Sequence, residues 1–158
     1  MEAKRLGVKW IIGAECGHMW RVLHQYMDTM NGPADFLEVP KSPITGTVFD
    51  YAKSTKMVHI CEFTADLIKN NKLKLDKSRN DRWNVTFHDS CNPARAMGLL
   101  EEPRHIINNV VNKFHEMPEN TIREQTFCCG SGSGIGTDEN FEMRMRGGLP
   151  RANAVKHV

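Results

Sequence analysis

Thr126-Phe127-Cys128-Cys129-Gly130-Ser131-Gly132-Ser133-Gly134-Ile135-Gly136 decides how this chain is read. Two adjacent cysteines close an apolar, β-prone run from Ile122 to Phe127 and open a glycine-rich turn. Successive side chains on a strand point to opposite faces, so two neighbouring thiols share one side only where the strand breaks. The glycines supply that break, because they accept dihedrals closed to other residues and let a bulky ligand approach the main chain. A thiol pair on such a turn is poor core material and suits metal, sulfur or redox chemistry.

Outward from this turn, Cys91 lies 37 positions before Cys128, in Asp89-Ser90-Cys91-Asn92-Pro93. The flanking residues leave it little apolar cover, and a helix start lowers a thiol's pKa. Against this stands the plainer reading of a small buried residue. One tetrahedral zinc fits the adjacent pair poorly, since its thiolate ligands usually stand two to four residues apart. Neighbouring thiolates suit a site with several metal atoms, so iron–sulfur ligation is preferred. A phosphate loop is disfavoured: residues 135 and 137 are Ile and Thr, which breaks both G-x-G-x-x-G frames, and no Gly-Lys-Ser/Thr follows.

Cys16 stands with Glu15 and His18 at a predicted strand end, as a candidate ligand or as part of an ordinary turn. Cys61, beside Ile60 and Phe63 in a helical pattern, reads as packing. His88 precedes Asp89 at the strand end that carries Cys91, and suits a donor to sulfur, a proton carrier or a hydrogen-bonded core residue. His24, His105, His115 and His157 read as surface residues, and Asp138, Glu139 and Glu142 as a solvated helix start.

The remaining chain sets the frame. Composition is that of a globular protein, 40% hydrophobic and 25% charged, with a net charge of +2 too small to argue for nucleic acid. No apolar stretch approaches the roughly 18–20 residues of a membrane span, and the N-terminus lacks a signal-peptide pattern. Five cysteines, an odd number, argue for reduced thiols in the cytoplasm rather than a disulfide framework. Nine methionines fit an adaptable interior or interface.

Strands are predicted over 8–12, 36–39, 83–88 and 121–127. Helices are predicted over 16–30, 59–69 (Ile60, Phe63, Leu67 and Ile68 inward) and 99–114 with a break at Pro103. A last helix opens at Pro150. Asn31-Gly32-Pro33 stops the first helix, and Asn70 to Arg82 is a charged connection. This alternation predicts an α/β fold with a largely parallel sheet flanked by helices. Ligands in such sheets lie beyond the carboxyl ends of strands, where Cys16, Cys91 and the Cys128–Cys129 pair would converge.

His88-Asp89-Ser90-Cys91-Asn92-Pro93, with 36 residues between Cys91 and Cys128-Cys129-Gly130, resembles the cysteine-rich CCG domain of heterodisulfide-reductase-like proteins. Together with Glu15-Cys16-Gly17-His18-Met19-Trp20-Arg21, these motifs look most like the DsrK group of DsrMKJOP membrane complexes of dissimilatory sulfur metabolism. Such domains occur as two repeats, each closing on a Cys-x-x-Cys. The resemblance implies that residues 1–82 are the end of a degenerate first repeat plus a linker, and residues 83–158 a second repeat whose closing Cys-x-x-Cys lies beyond Val158. The chain would then be an internal fragment without a native start at Met1. The resemblance further implies a noncubane 4Fe–4S cluster, incompletely ligated here, on Cys91, Cys128 and Cys129. Gly130 and Gly132 would line it, Cys16 would be an outlying candidate, and His88 and His18 would supply protons. The implied activity takes electrons from a quinol-oxidising haem subunit of the membrane complex. It reduces a disulfide or trisulfide on the small sulfur-carrier protein DsrC, at the inner face of the cytoplasmic membrane. The competing expectation is a docking module with structural or zinc-binding cysteines and basic turns at Arg144, Arg146 and Arg151.

Overall fold

The structure is a computed structural model that describes residues 2–13, 16–31, 37–49, 56–132 and 136–158, without the side chains of 27, 28, 30 and 31. Glu15, Gly32-Pro33, Phe36 and Ser133 to Ile135 therefore lie outside the described residues. The chain divides into two compact units, Met1–Leu75 and Asp76–Val158.

The first unit opens with a one-turn helix α1 (Glu2–Arg5), strand β1 (Ile11–Gly13) and helix α2 (Gly17–Asn31). Strand β2 (Met57–His59) runs directly into helix α3 (Ile60–Lys69). β1 and β2 pair in parallel, with Ile11 opposite Met57 and Gly13 opposite His59. This is an α/β arrangement with a smaller sheet than the β-prone runs suggest. β2 leaves no signal in the sequence, because three residues are too few for alternation to show. His59 makes it possible: its Nδ1 accepts from the amide of Cys61 while the Glu62 carboxylate accepts from the His59 amide, a reciprocal cap that stops the strand and starts the helix.

Trp20 is buried against the rings of His24 and His59, so His24 is a packing residue rather than a surface one. Phe49 and Val58, with Trp10 and Phe63, form the core beneath the sheet. On α3 the buried positions are Glu62, Ala65, Asp66 and Ile68, whereas Ile60, expected inward, is 46% exposed. Its place at the first helical residue puts it clear of the core. Residues 37–39 form no strand; the amide of Glu38 donates to Lys9 O and the chain turns back through an antiparallel bridge of Lys41 with Val48.

The second unit holds helices α4 (Glu101–Val110) and α5 (Phe141–Val155). Of the predicted strand 83–88, only Val85 pairs, in a parallel bridge to Phe114. The strand expected over 121–127 is instead two 3₁₀ turns, Glu119–Thr121 and Arg123–Gln125. Side chains capture the backbone there: Thr121 Oγ1 donates to Pro118 O, and the Arg123 amide donates to the Asp89 carboxylate from a residue at φ +56. A buried carboxylate thus outcompetes a ladder partner.

Pro103 produces no break. It sits in the first turn of α4, where amide donors lack intrahelical partners and its missing N–H costs nothing. The last helix begins at Phe141, after a 3₁₀ turn at Asp138–Asn140, and contains Pro150 rather than starting there. Met117, Ile122 and Ala154 form a core cluster of this unit. No described helix is long and apolar enough to cross a membrane.

Candidate functional site

Two loops of the second unit carry its three cysteines. The first runs through His88-Asp89-Ser90 into a single π-type turn over Cys91–Ala96, whose Arg95 amide reaches back to Ser90 O. The second runs from Thr126 through Cys128 and Cys129 to Gly130 and Gly132, both at positive φ. Cys91, Cys128 and Cys129 are all exposed.

Thr126 holds the loops together. It is fully buried, and its hydroxyl donates to Asp89 O over 2.6 Å. Thr126 stands two residues before Cys128 as Asp89 stands two residues before Cys91, so one hydrogen bond aligns the approaches to both cysteines. Arg95 Nε adds a second tie, to Glu124 O at 3.1 Å.

Beneath the loops lies a buried polar framework. Asp89 receives a bidentate pair from Arg104, at 2.8 and 2.7 Å, and the amide of Arg123 at 2.7 Å. Arg104 also reaches Glu116. Burial alone would raise the Asp89 carboxyl, but the arginine and amide donors hold it below the usual carboxylate range. The same pair raises Arg104. Arg151 of α5 donates to Thr121 O and Thr126 Oγ1, at 2.5 and 2.6 Å.

The turn rests on α5 through two glycines. A Cβ on Gly130 would stand 2.2 Å from Arg144 O, and one on Gly148 would stand 2.8 Å from Cys129 O. Their absent side chains let the Cys129–Gly130 main chain lie on the helix backbone. Arg144 Nε donates to Gly130 O, and the Gly130 amide donates to Cys128 Sγ at 3.3 Å. A groove of about 270 Å³ opens beside Cys129, lined by Gly130, Phe141, Arg144, Met145 and Leu149 among others.

His88 lies at this site, half-buried. Burial pushes its imidazole pKa down, the charge of Arg151 adds to the effect and Asp89 opposes it, so His88 is neutral near pH 7. Its Nδ1 is buried without a hydrogen bond. Cys16 and His18 are exposed at the start of α2 and belong to the first unit. Cys61 is half-buried on α3. Arg144, Arg146 and Arg151, expected on turns, all lie within α5, and Arg151 is buried.

The donor set suits an iron–sulfur group: three exposed thiols on two loops fastened side by side. Among the described residues no three Cys, His, Asp or Glu side chains gather around a single metal ion. Sequence reasoning missed Thr126, Arg104 and Arg151. Thr126 lay in a β-prone run, Arg104 in a helical pattern and Arg151 on an expected basic turn, and only a paired, buried acid at Asp89 could have signalled their partners.

A profile of the CCG cysteine-rich domain matches residues 85–154. The chain is 48% identical over 170 aligned positions to the Hdr-like menaquinol oxidoreductase iron-sulfur subunit of Archaeoglobus profundus, covering 99% of this chain and 30% of that protein. It is 51% identical to the second such iron-sulfur subunit of Archaeoglobus fulgidus, covering 99% and 31%. Over 81 residues it is 41% identical to one subunit of the dihydromethanophenazine:CoB–CoM heterodisulfide reductase of Methanosarcina mazei, covering 51% of this chain and 19% of that protein. The chain thus spans about three tenths of the length of its two Archaeoglobus relatives. No solved structure matches the chain significantly. Residues 85–154, with Cys91 on one loop and the Cys128–Cys129 pair on the loop fastened beside it, thus form a CCG cysteine-rich domain.

Proposed function

We propose that the chain is part of an iron–sulfur oxidoreductase subunit, with residues 1–82 ending one cysteine-rich repeat and residues 83–158 forming most of the next. Cys91, Cys128 and Cys129 are its metal ligands, Gly130 and Gly132 leave the approach to them open, and Cys16 is an outlying candidate. The carrying observation is the Thr126–Asp89 hydrogen bond, which aligns the two cysteine loops 37 residues apart. The printed names of the relatives, iron-sulfur subunits and a heterodisulfide reductase subunit, support the same class.

The group held is a noncubane 4Fe–4S cluster, which when bound supplies single electrons and open iron coordination for a substrate sulfur. The chain's own residues do the rest. The two loops present the three thiols to solvent above a buried, hydrogen-bonded floor. His88, neutral and adjacent to Asp89, is assigned to proton supply, the role open to an imidazole that carries one ring proton. His18 is the alternative donor. The net reaction takes a disulfide, two electrons and two protons to two thiols; a trisulfide takes four electrons and four protons to two thiols and hydrogen sulfide. Electrons come from a quinol-oxidising haem subunit of a DsrMKJOP-like membrane complex and go to the disulfide or trisulfide of DsrC. The subunit works in the cytoplasm at the inner membrane face, held there by its partners.

The test is iron and acid-labile sulfide per chain, with electron paramagnetic resonance, after anaerobic reconstitution. A longer version carrying a downstream Cys-x-x-Cys should gain a signal that Cys128→Ser and Cys129→Ser abolish. Absence of iron in both versions sinks the reading.

The exposed apolar side chains of α5, Phe141, Met143, Met145 and Leu149, favour the second reading, a docking module. That module would stay colourless and bind its partner equally well with all five cysteines replaced.

A further inference from the structure

The charged connection over residues 69–83 serves neither the cysteine loops nor a core. Six of its fifteen residues are cations (Lys69, Lys72, Lys74, Lys77, Arg79 and Arg82) against two acids, a net +4. The other 143 residues hold 15 cations and 17 acids, a net −2, so the small charge of the whole chain conceals one concentrated basic stretch. Every residue of the stretch except Asn80 is exposed. Among the described residues no carboxylate forms an ion pair with any of the six cations.

Each half of the stretch is held in shape by its own unit. In the first unit the Lys72 amide donates to Leu67 O across the left-handed residue Asn71, which leads Lys72, Leu73, Lys74 and Leu75 off the end of α3. In the second, Lys77–Asn80 form a 3₁₀ turn capped by Asp76, whose carboxylate accepts from the Ser78 amide and hydroxyl. Asn80 ties that turn to Val110 O at the end of α4, and the Asp81 carboxylate accepts from Asn112. Both acids are engaged by neutral donors, and the cations keep their charge for something outside the chain.

Charge alone fits a solvated connection. The apolar residues set among the cations do not. Leu73 is 39% exposed, Leu75 41% and Trp83 54%, and the Arg82 guanidinium lies 4.8 Å from the centre of the Trp83 ring. Such a mixture suits the headgroup region of a bilayer. There leucine and tryptophan enter the acyl boundary, cations meet lipid phosphates, and the aliphatic stems of lysine span the two. A nucleic acid would engage the cations through its phosphates and leave Leu73 and Leu75 in water.

We propose that residues 69–83 are a lipid-contact segment that binds the surface of a membrane rich in anionic phospholipid. This goes beyond the iron–sulfur reading, in which partners hold the subunit at the membrane, and it depends on no cluster and no cysteine.

The test is cosedimentation of the full chain, under reducing conditions, with vesicles of phosphatidylglycerol and phosphatidylcholine or of phosphatidylcholine alone. The chain should bind the first and not the second at about 0.1 M salt, and should be released at about 1 M, where the screening length falls from ~10 to ~3 Å. Each cation near an anionic surface is worth about fivefold in binding, so Lys72→Gln, Lys74→Gln and Lys77→Gln together should weaken it on the order of a hundredfold. Leu73→Ser with Leu75→Ser leaves the charge unchanged and should weaken binding about tenfold. All five positions are exposed, clear of both cores. Trypsin supplies a readout without variants: phosphatidylglycerol vesicles should protect Lys72 and Lys74 from cleavage. Absence of binding to those vesicles, absence of protection, or full binding by the leucine variant overturns the proposal. So does tighter binding, at the same salt, to a duplex DNA oligonucleotide or to polyglutamate, which would assign the stretch to a nucleic acid or to an acidic protein. The iron analysis bears on none of these outcomes, so the two readings fail separately.

Discussion

At the scale of single residues, the cysteine loops depend on side chains that carry no chemistry. Thr126→Val preserves shape but removes a buried hydroxyl that donates to Asp89 O and accepts from Arg151. Leaving those two groups unmatched should cost roughly 2–4 kcal/mol in denaturant unfolding of the second unit. Gly130→Ala forces a Cβ against Arg144 O at a left-handed residue and should cost more than about 3 kcal/mol. Gly147, one helical position from the contact, has open space around its missing Cβ. Gly147→Ala should therefore stabilise α5 by about 0.5–1 kcal/mol, and an equal penalty at both glycines in thermal melts would contradict this account of the turn.

At the scale of elements, two buried ionisable groups make stability depend on pH in distinguishable windows. His59 caps α3 as a neutral imidazole, and burial depresses its pKa to about 4. The unfolded chain, with an imidazole near 6.5, takes up the proton first. The β2–α3 junction should therefore lose roughly 3 kcal/mol as pH falls from about 6.5 towards 4. Hydrogen exchange of α3 amides would show the loss, and His59→Asn, which can still cap, should flatten it. Asp89 acts in the second unit and at lower pH. Its folded pKa lies below the unfolded value, so the stability it contributes is present above about 4 and is lost on further acidification through its folded value. Amides of the Cys91 turn should open in that lower window, and Asp89→Asn should abolish the dependence while lowering stability at neutral pH.

At the scale of the whole molecule, the division between Leu75 and Asp76 follows an exposed, lysine-bearing connection. Lys72 and Lys74 lie in it, just after Asn71 at φ +53. Brief trypsin treatment should cut first at these lysines and leave two protected products, read by intact mass; first cleavage inside α4 or α5 would contradict the two-unit division. α5 inverts the usual pattern of a surface helix: Arg151 and Gly148 face the protein, while Phe141, Met145 and Leu149 face outward. Its apolar spacing therefore does not mark the buried side; the helix start read at Asp138, Glu139 and Glu142 is where the helical segment opens, whereas the last helix predicted from Pro150 lies inside it.

Residue type alone pointed to the class of chemistry proposed. Adjacent thiols before glycines, preceded by a lone exposed cysteine, read as a multi-metal or redox site without any coordinates, because few arrangements tolerate such a pair. Helices α2 and α3 were legible too, as local periodicity carries them. Only the tertiary structure decided the rest. The run from Thr121 to Phe127 has strand-like composition, yet Asp89, more than thirty residues away, claims its amide at Arg123 and turns it into 3₁₀ structure. Thr126, Gly148 and Arg151 acquire their roles from partners distant in sequence. Long-range hydrogen bonds to buried charge leave no local pattern, and so the floor beneath the cysteines became visible only once the chain was folded.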